Sequence, residues 1–405
     1  MDSLTHLVLG AAIGEVVLGK KIGNRALIWG AIGETIPDFD VLGNLFLNPT
    51  GALAFHRGFT HSILFAIGAP LLFGWLVYKL YHTDRHKKPI YKALVSIINA
   101  LVLGTLVLGS NYMLRVENHP RWWYVVISLG IGAYLIWRLY KYYIKKDLES
   151  FKTTHREWYL LFFLAFMTHI LLDSCTTYGT QLFLPFSDYR VSFKNISVAD
   201  LFFTIPFLIC AIIFPFYKRN TKTRTVINYI GMGYAALYLL FTFGNKIHMN
   251  HVFERALSNR GIEATRWRTD PTILNNFLWT FVAETPDNYY VGLYSNFDHG
   301  PDMHYLNTLP KNDSIMQAYS KYKSFKTIKW FSDGYLNASP ADTVTVLSDL
   351  RYGGIQDTIK NYNDMVFNFF VKETDGELQV VTDRTPMQGS FSDILKKFIK
   401  RVKGY

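Results

Sequence analysis

Between residues 63 and 243 the chain carries six apolar runs, at 63–81, 93–109, 122–137, 158–172, 198–216 and 226–243. A hydrocarbon layer about 30 Å thick takes about 20 apolar residues wound as a helix to cross it. Inside that layer only helices or closed barrels satisfy every backbone polar group. The runs are continuous and do not alternate, so they predict helices. Two shorter or more polar runs, 4–19 and 26–36, precede them and count as helices as well. The first lacks the basic start of a secretory signal and opens on a histidine, so it reads as a retained segment. The expected fold is mainly α: a multi-pass bundle of about eight helices over residues 1–245, followed by a soluble α+β domain over 246–405.

The formal charge of +11 suggests nucleic acid at first glance, but its distribution excludes that class. Residues 1–245 hold 23 Lys and Arg against 13 Asp and Glu, and residues 246–405 hold 19 against 18. In the apolar half the basic residues fall in alternate loops. Loops 20–25, 79–92, 138–156 and 218–224 carry 18, whereas 38–60, 111–121 and 175–197 carry five: Arg57, Arg115, Arg121, Arg190 and Lys194. Basic loops stay in the cytoplasm. The second set and the tail therefore face outward, from a cell inner membrane into the periplasm. The two cysteines, Cys175 and Cys210, make no disulfide framework.

In the tail, 277–284 and 289–295 are β-rich and flank Thr-Pro-Asp-Asn, a hairpin signal. Residues 343–350 and 365–372 also predict strands, and 314–322 a short helix.

Seven potential metal ligands from four separated stretches fall on the outward side of this topology: His6, Asp38, Asp40, His56, His61, His169 and Asp173. His169 and Asp173 are one helical turn apart and share a face. Asp38 and Asp40, read as extended chain, point the same way. Pro37 ends a helix and Gly58 loosens the loop between His56 and His61. Imidazole and carboxylate suit zinc, iron or manganese. Arg57, between two of these histidines, is placed to hold a phosphate oxygen. Singly, each residue has a plainer reading. Asp38 could terminate a helix, Thr60 could cap one, and His169 could bond a neighbouring helix. Their convergence on one face favours metal. Glu15 reads as paired with Lys20 or Lys21, Glu34 as orienting a ligand, and Gly10 and Gly14 as a close helix contact. His248 and His251 could add a ligand. Asp298, His299, Asp302 and His304 read as a solvated loop, and Arg266 and Arg268 as a solvated strand face.

Four strings occur in order: Met-Asp-Ser-Leu-Thr-His at the start, Pro37-Asp38-Phe39-Asp40, His56-Arg57-Gly58-Phe59-Thr60-His61-Ser62, and His169-Ile170-Leu171-Leu172-Asp173. Together they resemble the YdjM-type family of inner-membrane metal-dependent hydrolases, over residues 1 to about 215. The His-Arg-Gly-x-Thr-His-Ser string is the most specific. The resemblance implies a distant relation to zinc-dependent phospholipase C and S1/P1 nuclease, with His6, Asp38, His56 or His61, His169 and Asp173 as ligands. The N-terminal tryptophan ligand of those soluble enzymes is absent here, so one or two zinc ions, with three as the upper bound, are expected.

The expected function is metal-dependent hydrolysis of a phosphoester in a lipid or another small envelope substrate, with Asp40 as general base or ligand and Arg57 steadying developing charge. Membrane lipids are the expected partners and nucleic acid is not. A divalent-metal or proton transporter is one alternative, though its ionisable groups would spread across the bilayer depth. A non-catalytic scaffold with a structural metal is another. The orientation has a direct test. A cysteine placed in loop 38–60 or in the tail should react with an impermeant thiol reagent on intact cells, and one in 138–156 should not. Labelling of the loop and tail sites only after lysis would reverse the topology.

Overall fold

A computed structural model describes residues 1–113, 122–145, 148–300, 303, 305–354, 356–381 and 391–404. Arg115, Arg121, Asp302 and His304 lie outside the described residues. The chain is mostly helical. Helix α1 (Ser3–Gly14) passes through a π-helical turn into α2 (Lys20–Ile22), and α3 (Asn24–Thr35) returns beside it. A 3₁₀ segment, Pro37–Leu45, and α4 (Pro49–Phe55) lead to α5 (Ile63–His82), α6 (Pro89–Met113), α7 (Trp122–Leu139) and α8 (His155–Ser174). Then come α9 (Leu201–Ile213) and α10 (Lys222–Asn259). Among the described residues, four helices are long and apolar enough to cross a membrane: Ser3–Ile22, Ile63–His82, His155–Ser174 and Lys222–Asn259. Pro89–Leu101, Val125–Trp137 and Leu201–Phe216 are apolar but shorter, and α3 has only 12 residues. Leu64, Ile67, Leu71, Leu72 and Leu76 of α5 are exposed, the side-chain pattern of a helix facing lipid.

The chain forms two compact units, Pro70–Leu160 and, separately, Met1–Ala69 with Leu161–Tyr405. In the first, Tyr81 stacks on Trp158 with ring centroids 5.4 Å apart, and the His86 ring bonds the Glu149 carbonyl. In the second, α1 and α3 meet backbone to backbone. A Cβ on Gly14 would lie 2.0 Å from the Ala26 carbonyl oxygen, and one on Gly10 would lie 2.3 Å from that of Gly30. Glycine is thus required by the approach itself, as in small-residue contacts between membrane helices. Met1, Val8, Ala12, Leu172, Ile196, Phe203, Phe207 and Ala235 bury together and hold α1, α8, α9 and α10 in one core.

Glu15 departs from the sequence reading. Its carboxylate is buried and accepts two hydrogen bonds from Arg224 of α10, at 2.7 and 2.6 Å, not from Lys20 or Lys21. A buried carboxylate needs a fixed partner, and the planar guanidinium supplies a two-point one.

Two four-stranded antiparallel sheets build the tail. The first takes β1 (Arg266–Pro271), β2 (Leu278–Glu284), β3 (Asn288–Ser295) and β4 (Leu306–Pro310). After α11 (Asp313–Tyr319) and α12 (Lys323–Phe331), the second takes β5 (Leu336–Ala341), β6 (Val344–Asp349), β7 (Asn368–Thr374) and β8 (Glu377–Val381), before α13 (Phe391–Val402). The expected hairpin forms, with Leu278 opposite Ser295 and Glu284 opposite Tyr289. Helix α10 runs past residue 245 without a break, and its Met249, Phe253 and Leu257 enter the core under Trp279 and Phe281. The second sheet packs with α12 on Leu53 of α4 and on Tyr178, just beyond α8.

The glycine contact generates a stability test. Gly14→Leu should force α1 from α3 and cost at least about 1–3 kcal/mol, the usual range for overpacking. Gly68→Leu, where nothing lies within 4 Å of the added carbon, should be neutral. Equal unfolding midpoints for both variants in detergent would rule out the close approach.

Candidate metal centre

Asp2 caps α1 through the Thr5 backbone and fixes where the helix starts, which sets His6 in its first turn. Pro37 begins the 3₁₀ segment, closed by a hydrogen bond from the Phe39 amide to the Ile36 carbonyl at 3.1 Å. That overturns the extended reading of Asp38-Phe39-Asp40. In a 3₁₀ helix, with three residues per turn, side chains two apart diverge. Asp38 and Asp40 accordingly do different things.

Asp38 joins His61, His169 and Asp173, whose donor atoms lie within 4.8 Å of one another. The Nε2 atoms of His61 and His169 face each other at 3.1 Å. Asp38 Oδ1 is 3.5 Å from each of them, and Asp173 Oδ2 is 3.4 Å from His61 and 3.6 Å from His169. Around a four-coordinate zinc with ligand bonds of about 2.0–2.2 Å, neighbouring donors sit about 3.3–3.6 Å apart. The residues therefore fit such an ion in both chemistry and spacing. Asp173 Oδ2 meets no hydrogen-bond donor although fully buried. His61, His169 and Asp173 are sealed from solvent, while the Asp38 side chain is 20% exposed and gives the cluster its open side.

The remaining predicted residues surround these four. Asp40 accepts from His56 Nδ1 at 2.8 Å and from the Arg57 amide at 2.7 Å, and its Oδ2 lies 3.2 Å from His61 Nδ1. A carboxylate behind a histidine in this way fixes the ring and leaves Nε2 free for a cation. His56 points to Asp40 and to the Tyr178 ring, 5.2 Å away, so it stands outside the four-donor group. Arg57 has a left-handed backbone, φ +56°. Holding a bulky residue there costs of order 1–3 kcal/mol. Its buried guanidinium lies 3.1 Å from Asp173 Oδ1 and bonds Thr176 at 2.8 Å. Arg57 thus positions Asp173.

His6 is fully buried and stacks on the His169 ring with centroids 3.8 Å apart. Its Nε2 is 3.2 Å from Asp173 Oδ1 and its Nδ1 is 3.4 Å from Glu34, which also accepts from Thr168. His6, Glu34 and His169 form a second group with donor atoms within 4.8 Å of one another. His169 belongs to both groups, and its Nδ1 has no hydrogen-bond partner.

The electrostatics of the cluster are set by its carboxylates. Burial raises the Asp38 carboxyl, but hydrogen bonds to His169 and His61 hold it well below the usual carboxylate range. Burial likewise acts upward on Asp40, and His56 and His61 outweigh it. At His61 burial acts downward, yet Asp173, Asp38 and Asp40 raise the ring to about 10. Three carboxylates around one imidazole make a field that suits a cation, with Arg57 offsetting part of it at Asp173.

Two contributors escaped the sequence reading. The α-amino group of Met1 is buried against Asp173 Oδ1, and Tyr178 walls the site beside His56 and Arg57. No composition or spacing signal marks either. The other candidates stand elsewhere. His248 is exposed, and His251 is exposed beside Glu254. Asp298 is held by Arg401 at 2.7 and 2.8 Å. Arg268 is not a solvated strand residue, being buried and paired with Asp270 at 2.6 and 2.7 Å.

A profile of the YdjM inner membrane protein family matches residues 1–248, which contain every residue of the two His/Asp/Glu groups. Inner membrane protein YbcI of Escherichia coli (strain K12) is 42% identical over 69 residues, 17% of this chain and 40% of YbcI. The chain thus spans well under half of that relative. No solved structure matches. With more than half of its length matched by one profile, the chain belongs to the YdjM inner membrane protein family.

Proposed function

We propose that this protein is a metal-dependent hydrolase of the inner membrane, acting on a phosphoester of a lipid or envelope substrate, with its site on the periplasmic side of an eight-helix arrangement. The observation that carries the reading is the group Asp38, His61, His169 and Asp173, four converging donors sealed on every side but that of Asp38. Zinc is the ion the donor set suits best. When bound it would lower the pKa of a water and polarise a phosphoryl oxygen. The chain's own residues prepare that site. Asp40 holds the His61 ring with Nε2 inward, while Arg57 and His6 occupy Oδ1 of Asp173 and leave Oδ2 free. Asp38 reaches solvent and is the residue beside which water and substrate arrive. His6, Glu34 and His169 offer a place for a second ion.

A structural metal in a non-catalytic scaffold is the second reading. Four protein donors would already complete a tetrahedral shell, as structural sites do. Hydrolysis needs a wider shell or a donor that yields, and the partly exposed Asp38 is the one placed to do so.

Elemental analysis of detergent-purified protein tests the site. His61→Ala and Asp173→Ala should lose bound metal while still inserting in the membrane. Asp40→Asn should keep metal with affinity reduced about 10–100-fold, the usual effect of removing a carboxylate behind a ligand. Full metal content in both alanine variants would eliminate the shared centre.

Activity has its own test. Phosphodiester and phospholipid cleavage should vanish with chelator, return with zinc, and fall at least about a hundredfold in Asp38→Asn, about 2.7 kcal/mol of barrier. A metal-loaded protein inert toward all these substrates would favour the scaffold. Chelation should also lower the unfolding midpoint, since ligand at about 100 times its Kd stabilises by about 2.7 kcal/mol.

A further inference from the structure

A second polar site lies on the far side of Tyr178. A cleft of about 240 Å³ is lined by Arg190 and Lys194 from the loop after α8 and by Arg268, Trp330, Phe331 and Arg351 from the tail, among others. Arg268 and Arg351 are each held by a carboxylate, Asp270 and Asp349. Arg190 and Lys194 close no ion pair with a carboxylate among the described residues, although Asp270 and Asp333 lie near enough to attract the Lys194 ammonium. Arg190 donates only to the Tyr178 and Gly179 carbonyls, at 3.1 and 3.0 Å, and its buried Nη1 meets no acceptor. Its guanidinium sits 4.5 Å from the Tyr178 ring and 5.2 Å from Trp330. Lys194 is kept in a left-handed conformation, φ +58°, which a long side chain rarely adopts.

We propose that this cleft binds a phosphate group, with Arg190 and Lys194 as its ligands. A fork of guanidinium donors beside an ammonium matches the tetrahedral oxygens of phosphate, and the aromatic walls exclude water that would weaken the attraction. Arg268 and Arg351 add positive field from fixed positions. Asp188 and Asp333 also line the cleft. Asp333 is largely exposed, with a carboxylate oxygen 3.6 Å from Arg268. Burial pushes the Arg190 guanidinium down to about 10, Tyr178 acting against this and Arg351 and Arg57 with it. A bound anion would reverse that cost. Arg268, Trp330, Phe331 and Arg351 lie beyond residue 248, where the family match ends. The site needs no metal, so it stands independently of the proposed hydrolysis.

Binding is measured on full-length protein in phosphate-free detergent. Inorganic phosphate is followed by equilibrium dialysis, and phosphatidylglycerol in mixed micelles by calorimetry. Lys194→Gly removes the ammonium and relieves the backbone, so it should lower affinity at least tenfold while the unfolding midpoint holds or rises. Arg190→Gln should lower affinity further. His61→Ala, in the metal cluster, should leave it within twofold. Binding of both probes supports the phosphate group itself as the recognised element. Binding of the lipid alone names a head group, and of phosphate alone the free anion. Binding of neither probe, or binding unchanged in Lys194→Gly, overturns the proposal. So does loss in His61→Ala with retention in Lys194→Gly, which would move the anion to the metal cluster.

Discussion

The buried carboxylate of Asp173 is the constraint on which the His/Asp cluster depends. A charge sealed from water is unfavourable by several kcal/mol unless it is paired and hydrogen-bonded. One oxygen is surrounded by the Met1 amine, His6 and Arg57, and the other by His61 and His169. These groups come from the chain start, the loop before α5, and α8 itself. Satisfying Asp173 therefore draws distant stretches of sequence together, and the order in which they are threaded through the bilayer becomes secondary to where their ends meet.

Glu15 presents the same problem with a different answer. Its carboxylate is also buried, but Arg224 satisfies both oxygens and leaves nothing open. That pair ties α10 to the π-helical turn after α1. Asp173 differs in that Oδ2 faces only the His61 and His169 rings, at 3.4 and 3.6 Å, and completes no hydrogen bond with either. The contrast separates a carboxylate closed by a single two-point partner from one whose second oxygen completes no hydrogen bond.

Much of this was legible in the sequence where a physical requirement is local. Apolar length marks a helix that can cross a bilayer, as at 63–81 and 226–243. Polar residues at the ends of such runs stand out because they are costly there, which marks His6, Asp38, Asp40, His56, His61, His169 and Asp173, although Asp40 and His56 fall outside the four-donor group. Gly10 and Gly14 announced a close contact. What could not be read depended on folding in three dimensions. Arg224 lies 209 residues from Glu15. The different duties of Asp38 and Asp40 follow from a 3₁₀ segment that two carboxylates around a phenylalanine do not reveal. Strand β1 hides behind Arg-Trp-Arg-Thr-Asp-Pro, and Arg268 is buried only because Asp270 shares its face. Tyr178 has no neighbours in sequence that hint at its place between two sites.

Helix α10 has 38 residues and no break, so it is a rod of about 57 Å. Its first half lies among the apolar helices and its last turns form part of the tail's core. The two halves share one helical phase. Each residue added to such a rod turns everything beyond it by about 100° and lifts it about 1.5 Å. The core of the first sheet is thereby keyed in phase to the apolar half of the same helix. A single-residue insertion near its middle would set that phase against the bonds that tie the tail to the loop after α8, Asn276 to Asn195 and Asp270 to Thr177, without altering a residue of either cluster.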